Sequence, residues 1–317
     1  MKRISLVFPV YNEENVLPVL YERVCRLIEQ LAYDVEVILI NDGSQDASLD
    51  VMKQFQQADP RFKVIDFSRN FGHQVAITAG IDFASGDAVI LLDADLQDPP
   101  EILPQFLRKW NEGYQVVYGI RKTRKEHIFK RMAYAVFYRL LQHISDIPIP
   151  LDAGDFCLMD RMVVETLKSM PEQNRFVRGL RSWSGFRQIG LEYSREKRYS
   201  GEVKYTLPKL MKLALNGIFA FSYFPLQLAS YAGFIISVIS FLGILVYLYK
   251  KLFVGGEPQG FPTLVILILF MGGIQLIFLG VIGEYIGRIY DEVKKRPHYV
   301  VRAMYGWESN PQKENEP

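Results

Sequence analysis

The sequence predicts an α/β protein with a mostly parallel sheet, helices on both faces, and a two-helix membrane hairpin behind it. Three observations predict this. Apolar runs of strand length alternate with helical patterns from Ile4 to Leu92. Those runs are continuously apolar rather than alternating, as strands covered on both faces require. The chain has 317 residues, 23% of them charged, yet Leu213 to Tyr249 and Pro258 to Gly283 contain no charge at all.

The first strand is Ile4 to Val10. It is too short for a signal peptide and runs into Asn12, Glu13 and Glu14 without a small-residue cleavage site. A helix over Val16 to Leu31 follows, with apolar residues at helical spacing. The second strand, Val35 to Ile40, ends in Asn41-Asp42-Gly43-Ser44, and a helix covers Ala47 to Ala58. Val64 to Phe67 is the third strand, followed by a helix from His73 to Ala84. Ala88 to Leu92 is the fourth, ending in Asp93-Ala94-Asp95. In parallel sheets ligands bind at the carboxyl ends of the strands. The polar clusters after Val10, Ile40, Phe67 and Leu92 all fall there.

Leu226 to Tyr249 and Thr263 to Ile286 are 24 residues each. At 1.5 Å per residue each reaches ~36 Å, enough for a ~30 Å hydrocarbon core. Lys204, Lys209, Lys212, Arg288, Lys294, Lys295 and Arg296 flank the pair, and only Lys250 and Lys251 lie between them. That bias places the soluble part in the cytoplasm. The expected division is a cytoplasmic domain over 1–204, a juxtamembrane amphipathic helix over 205–225, two membrane helices within 226–286, and a cytoplasmic tail over 287–317. Gly273, Gly280, Gly283 and Gly287 suggest close helix packing, and so a homo-oligomer. Glycine is also simply common in membrane helices.

Composition removes several function classes. Lys plus Arg total 37 and Asp plus Glu 35, a net charge of +2. That argues against a nucleic-acid binder. Two cysteines, Cys25 and Cys157, build neither a disulfide framework nor a four-thiolate zinc site. No Gly-x-Gly-x-x-Gly follows the first strand, against a dinucleotide-dependent dehydrogenase.

Asp93-Ala94-Asp95 carries the strongest chemical signal. Two carboxylates one residue apart at a strand end suit a hard divalent cation, Mg²⁺ or Mn²⁺. A second constellation is cationic: Arg121, Lys122, Arg124, Lys125, Lys130 and Arg131, with His127 among them, stand against the single acid Glu126. The run reads as a solvated face or as a phosphate grip. Asp155 is a third candidate, a general base by residue type. Cys157 reads as a packed thiol.

Pro9-Val10-Tyr11-Asn12-Glu13, Asn41-Asp42-Gly43-Ser44 and Asp93-Ala94-Asp95-Leu96-Gln97-Asp98-Pro99-Pro100 resemble the family-2 glycosyltransferases, whose fold is the Rossmann-like GT-A fold. The Gln-Asp-Pro-Pro extension is most similar to the polyprenyl-phosphate glycosyltransferases, the dolichol-phosphate mannose synthase-like group. Leu151-Asp152-Ala153-Gly154-Asp155-Phe156, Arg175-Phe176-Val177-Arg178-Gly179-Leu180 and Lys204-Tyr205, with the hairpin, resemble the bacterial bactoprenol glucosyltransferases. The resemblance covers nearly the whole chain.

It implies an inverting, metal-dependent transfer of a hexose, glucose from UDP-glucose by preference, to polyprenyl (undecaprenyl) phosphate at the bacterial inner membrane. Pro9, Tyr11 and Glu13 would hold the nucleotide, and Asp42 the uracil or ribose. Asp93 and Ala94 would face the nucleoside, Asp95 would ligate the metal with Asp93 beside it, and Gln97 would lie near the sugar or acceptor. Arg121 and Arg131 would grip the acceptor phosphate, with Lys130 an alternative to Arg131. That phosphate is already ionised near neutral pH, so Asp155 is expected to orient the sugar or acceptor rather than take a proton. Pro9 and Tyr11 also read as turn-shaping residues, and Asp42 before Gly43 as ordinary turn chemistry. Arg181-Ser182-Trp183 is similar to the Gln-x-x-Arg-Trp box of processive synthases, but Arg178 stands where that box has Gln. This favours one sugar per acceptor. Arg198, Lys204 and Tyr205 would form a flap over the diphosphate or a membrane-proximal surface. The resemblance also suggests a tetramer as the oligomer. The rival readings are another sugar (formylated amino-arabinose, GlcNAc or mannose) and a nonenzymatic component of lipid-sugar flipping.

Overall fold

Strand β1 (Arg3–Val10) is buried from Ile4 onward, and β2 (Asp34–Asn41) from Val35 onward. The continuous apolar runs therefore meet packing on both faces. The computed structural model describes residues 1–121, 153–173, 175–195, 224–253 and 260–307. Helix α1 (Leu17–Gln30) starts with Pro18 in its first turn, where a missing N–H costs nothing, and turns Leu17, Leu20, Val24, Leu27 and Ile28 inward. Helix α2 (Ser48–Ala58), β3 (Phe62–Phe67), α3 (His73–Phe83) and β4 (Ala88–Leu91) complete the strand-helix alternation. Each falls within two residues of its expected bounds.

Further elements follow: α4 (Leu103–Asn111), β5 (Val116–Arg121), β6 (Ala153–Asp160), α5 (Arg161–Lys168), α6 (Val177–Trp183) and β7 (Gln188–Tyr193). The long helices are α7 (Phe224–Phe253) and α8 (Phe261–Lys294), and β8 (Val301–Tyr305) comes last.

One eight-stranded sheet results, in the order β7-β5-β6-β4-β1-β2-β3-β8. Strands β1 to β4 run parallel to one another, and β5 runs parallel to β7. Strand β6 is antiparallel to both β4 and β5, and β8 is antiparallel to β3. The fold is thus GT-A-like, α/β and mostly parallel. The reversal of β6 matters for chemistry. The strands around it end at one rim, and β6 begins there. Its register pairs Leu91 with Cys157, so Asp155 lies beyond the last pair, level with Asp93.

Two units divide the chain: 1–142, 147–206 and 296–317 form one, and 143–146 with 207–295 the other. Residues 287–317, expected to be a tail, hold the end of α8 and then strand β8 of the sheet. In the second unit, Phe234, Ile239 and Phe241 of α7 and Ile268, Leu276 and Ile277 of α8 are exposed. Among the described residues one stretch, Ile266–Lys294, is long and apolar enough to cross a membrane, and α7 carries a shorter apolar stretch, Ala229–Gly243. Lys130, Arg131 and the rest of the basic run after Arg121 lie outside the described residues, as do Leu151, Asp152, Arg198, Lys204, Tyr205 and 205–223 of the expected amphipathic helix.

Candidate active site at the carboxyl rim of the sheet

Two loops interlock after β1 and β2. The Asn12 and Glu13 amides donate to Ser44 Oγ (3.0 Å) and Ser48 Oγ (2.9 Å). In return the Gln45 and Ala47 amides donate to Asn12 Oδ1 (2.8 Å) and Glu14 Oε2 (2.8 Å). Asn12 adopts φ 55°, a conformation asparagine tolerates better than most side chains. Pro9 is buried at the end of β1, and the Tyr11 ring is exposed beside it.

Asp42 is buried and turned toward a third loop. Its carboxylate accepts from the amides of Phe71 (2.7 Å) and Gly72 (3.0 Å). Burial raises its pKa, against the pull of those two amides. Gly43, at φ +65°, passes so close to this loop that a Cβ would sit 2.4 Å from Asn70 N and 2.5 Å from Arg69 C. Both obstacles are backbone. Gly43→Ala is expected to cost about 2 kcal/mol from the left-handed conformation alone, and more from the clash. It should lower the thermal unfolding midpoint, read by circular dichroism.

Acidic side chains gather beyond β4. Asp95 is buried, and its Oδ1 accepts from Gln97 N (3.1 Å) across Leu96, which is held at φ 58°. Asp98 is fully buried; its Oδ1 accepts from Tyr193 OH (2.5 Å) and Arg195 Nε (3.2 Å). Its Oδ2 has no hydrogen-bond partner among the described residues. His73, the first residue of α3, places Nε2 3.4 Å from Asp93 Oδ1 and 3.5 Å from Asp155 Oδ2.

Asp155 is gripped more firmly still. Arg178 Nε and Nη2 donate to its two oxygens at 2.8 and 3.0 Å, and Gln74 Nε2 donates to Oδ2 at 3.2 Å. Gln74 Oε1 in turn accepts from Val177 N (3.1 Å), tying α3 to α6. Arg121 ends β5, paired with Tyr193 of β7. Its Nη2 lies 3.0 Å from where a Cβ on Gly154 would stand, so that glycine makes room for the guanidinium. Residues 5–168 match glycosyl transferase family 2.

The chain belongs to this family. Three relatives match nearly end to end. The uncharacterized glycosyltransferase YkcC of Bacillus subtilis is 51% identical, over 96% of this chain and 95% of its own. The bactoprenol glucosyl transferase of Shigella phage SfII is 45% identical, over 96% and 98%. The prophage bactoprenol glucosyl transferase homolog of Escherichia coli is 42% identical, over 95% and 99%.

In this family-2 glycosyltransferase the rim fits a hard divalent cation. Asp93 and Asp95 offer only carboxylate oxygens. Among the described residues no three His, Cys, Asp or Glu side chains form a closed metal cage, so phosphate oxygens and water would complete the shell. Burial pushes the Asp93 carboxyl up to about 6; Asp98, Asp155 and Asp95 add to the rise, and His73 opposes it. Burial also works against charge on His73 and Asp155, but their mutual attraction outweighs it. With Asp93, Asp155 holds the imidazole above its ordinary value, and with Arg178, His73 holds the Asp155 carboxyl well below the usual range. Burial raises the Cys157 thiol, so it is the packed group the sequence indicates.

The structure therefore brings Asp93, Asp95, Asp155 and Arg121 to one rim, along with the loops of Tyr11, Glu13 and Asp42. Sequence reasoning missed His73, Gln74, Arg195 and the grip of Arg178 on Asp155. His73 and Gln74 directly follow the third polar cluster, which was the available signal. Arg178 was visible as the departure from the Gln-x-x-Arg-Trp box. Arg181 of that box is fully buried, 5.4 Å from the Tyr118 ring.

Proposed function

We propose that the chain transfers a hexose, glucose from UDP-glucose in the favoured case, to polyprenyl phosphate with inversion at the anomeric carbon. The product, a polyprenyl-phosphate sugar, would serve modification of cell-envelope glycans. The observation that carries this reading is the single rim joining Asp93 and Asp95 to Asp155 and Arg121, in a chain alike nearly end to end to proteins named bactoprenol glucosyl transferases.

An acceptor phosphate oxygen forms the new bond to the anomeric carbon as the bond to the nucleotide diphosphate breaks. The phosphate, with a second pKa of about 6, is ionised near neutral pH and needs no base. Asp155 fits that economy. Locked by Arg178, Gln74 and His73, and held acidic, it is a poor proton acceptor and a good fixed point for orienting a sugar or acceptor. Arg121, with Nε buried and without a hydrogen-bond partner among the described residues, supplies a cation for the acceptor phosphate; Lys130 and Arg131 are proposed beside it. Pro9, Tyr11, Glu13, Asp42, Ala94 and Gln97 are proposed to line the donor side. A Mg²⁺ or Mn²⁺ ion held by Asp95 and Asp93 would neutralise the departing diphosphate. Alignment of the two reactants contributes on the order of 7–11 kcal/mol.

Both long helices are proposed to cross the bacterial inner membrane, with the catalytic unit cytoplasmic. Strand β8 supports the count. It follows α8 in sequence yet pairs with β3, so an odd number of crossings between 206 and 296 would strand it on the wrong side of the bilayer. A homo-oligomer, with a tetramer as one option, is proposed from the glycine spacing of α8.

The test is a panel of radiolabelled nucleotide sugars incubated with membranes holding the protein, scored for lipid-extractable label. EDTA-sensitive label from UDP-glucose is expected. If no donor yields such label, the assignment is wrong.

A further inference from the structure

The segment after α8 grips the nucleotide loops from behind. Tyr299 OH donates to Asp82 Oδ2 of α3 (3.0 Å), and its ring stacks on Phe67 at 5.2 Å and 16°. Ser68 N donates to Val300 O (3.0 Å), and Arg302 Nη2 donates to Ser68 O (2.7 Å). Phe67 meets Phe71 edge-on at 5.6 Å. Residues 67–72 are the loop whose amides hold Asp42 and whose Asn70 Nδ2 donates to Asp42 O (3.0 Å). The segment after α8 thus holds the start of the loop, at Phe67 and Ser68, and the last turn of the helix that follows it, at Asp82.

A second line runs from the same arginine. Arg302 Nη1 lies 3.7 Å from the buried Asp66 Oδ2. Asp66 Oδ1 accepts from Asn41 Nδ2 (2.8 Å), Asn41 Oδ1 accepts from Ser44 N (3.1 Å), and Ser44 Oγ accepts from Asn12 N (3.0 Å). From Asp66 onward the links join buried or half-buried groups, where hydrogen bonds are strong and an unmatched partner is costly; the Arg302 side chain itself is 59% exposed, and it anchors the line through a buried carboxylate. Arg302 therefore reaches both the Asp42 loop and the Tyr11–Glu13 loop without pointing at either.

We infer that Tyr299 and Arg302 are positioning residues for the nucleotide sugar: they set the loops after β1, β2 and β3 in their donor-binding form. The inference rests on the proposed reading of those loops as the nucleotide site. It predicts an effect confined to the donor, because the residues touch neither Arg121 nor Asp155.

The experiment uses the full chain in detergent or nanodiscs, with Tyr299→Phe, Arg302→Gln and the double variant. UDP binding is measured by calorimetry with Mn²⁺ present, and KM for donor and acceptor separately. For the double variant, the Kd for UDP and the donor KM are expected to rise about tenfold. The acceptor KM and kcat at saturating donor should stay within twofold, and Arg302→Lys should recover most of the loss. If the double variant fails to fold, Arg302→Gln alone is held to the same pattern at about threefold. A folded variant whose UDP affinity stays within twofold of wild type overturns the inference, as does an equal rise in both KM values. Wild-type protein that binds no UDP overturns the parent reading, and this inference with it.

Discussion

Asp95→Asn is expected to lower kcat/KM about 10²- to 10³-fold while leaving the unfolding midpoint within a few degrees of wild type. Asparagine keeps the shape of the side chain and can still accept the Gln97 amide that Asp95 Oδ1 now receives at 3.1 Å. What it removes is the negative charge at the point where the cation and the departing diphosphate would meet. Losing one preorganised electrostatic group at a reacting centre costs about 10²–10³ in rate. The readout is initial rate against donor concentration at saturating Mn²⁺, with circular dichroism as the folding control. Activity within tenfold of wild type would remove Asp95 from the metal-holding role.

Arg178→Ala is the second large effect, and it carries a pH signature. Asp155 lies in a site that would raise its carboxyl by burial; His73 and Arg178 hold it below the usual range instead. Removing Arg178 takes away both hydrogen bonds of the fork and leaves a carboxylate whose side chain is 10% exposed. Breaking a buried pair costs roughly 3–5 kcal/mol, and the 30% exposure of Arg178 puts this case near the lower end. The sign follows from linkage. A depressed folded-state pKa stabilises the protein above the unfolded carboxylate value of about 3.9, and that contribution is lost as pH falls. In the variant the Asp155 pKa rises toward that unfolded value and the stabilisation is absent. The gap in unfolding midpoint between wild type and variant should be widest between about pH 5 and pH 8 and narrow as pH falls below about 4, where the unfolded carboxylate takes up its proton. A gap that stays constant down to about pH 3 would show that Arg178 does not control Asp155.

The parallel half of the sheet was legible because its strands are buried on both faces. Ile4, Leu6, Val37, Leu39, Val64 and Ile90 pack into one core, and only an unbroken apolar run survives there. The carboxyl-rim clusters were legible for a related reason: chain leaving a buried strand meets water and ligand, and polar residues appear at once. Strand β8 was not legible. Val301 to Tyr305 includes Arg302, and each of its residues keeps some exposure to solvent, so its state depends on the pairing edge that β3 offers. The grip on Asp155 was hidden because its parts stand far apart in sequence. Gln74 is 81 residues from Asp155, and Val177 is 103 from Gln74.

The chain's own pattern of apolar runs, rim acids and uncharged stretches determined the α/β class, the polar rim at the carboxyl ends of the strands and the aspartate pair upon it. Burial and charge are properties of each residue, and they recur at spacings a strand or helix imposes. Only the tertiary structure decided that β6 runs backwards to set Asp155 level with Asp93, that His73 stands between them, and that the segment behind the last helix returns to brace the loops. Those facts depend on which strand edges and helix ends meet in space, and local sequence does not encode such meetings.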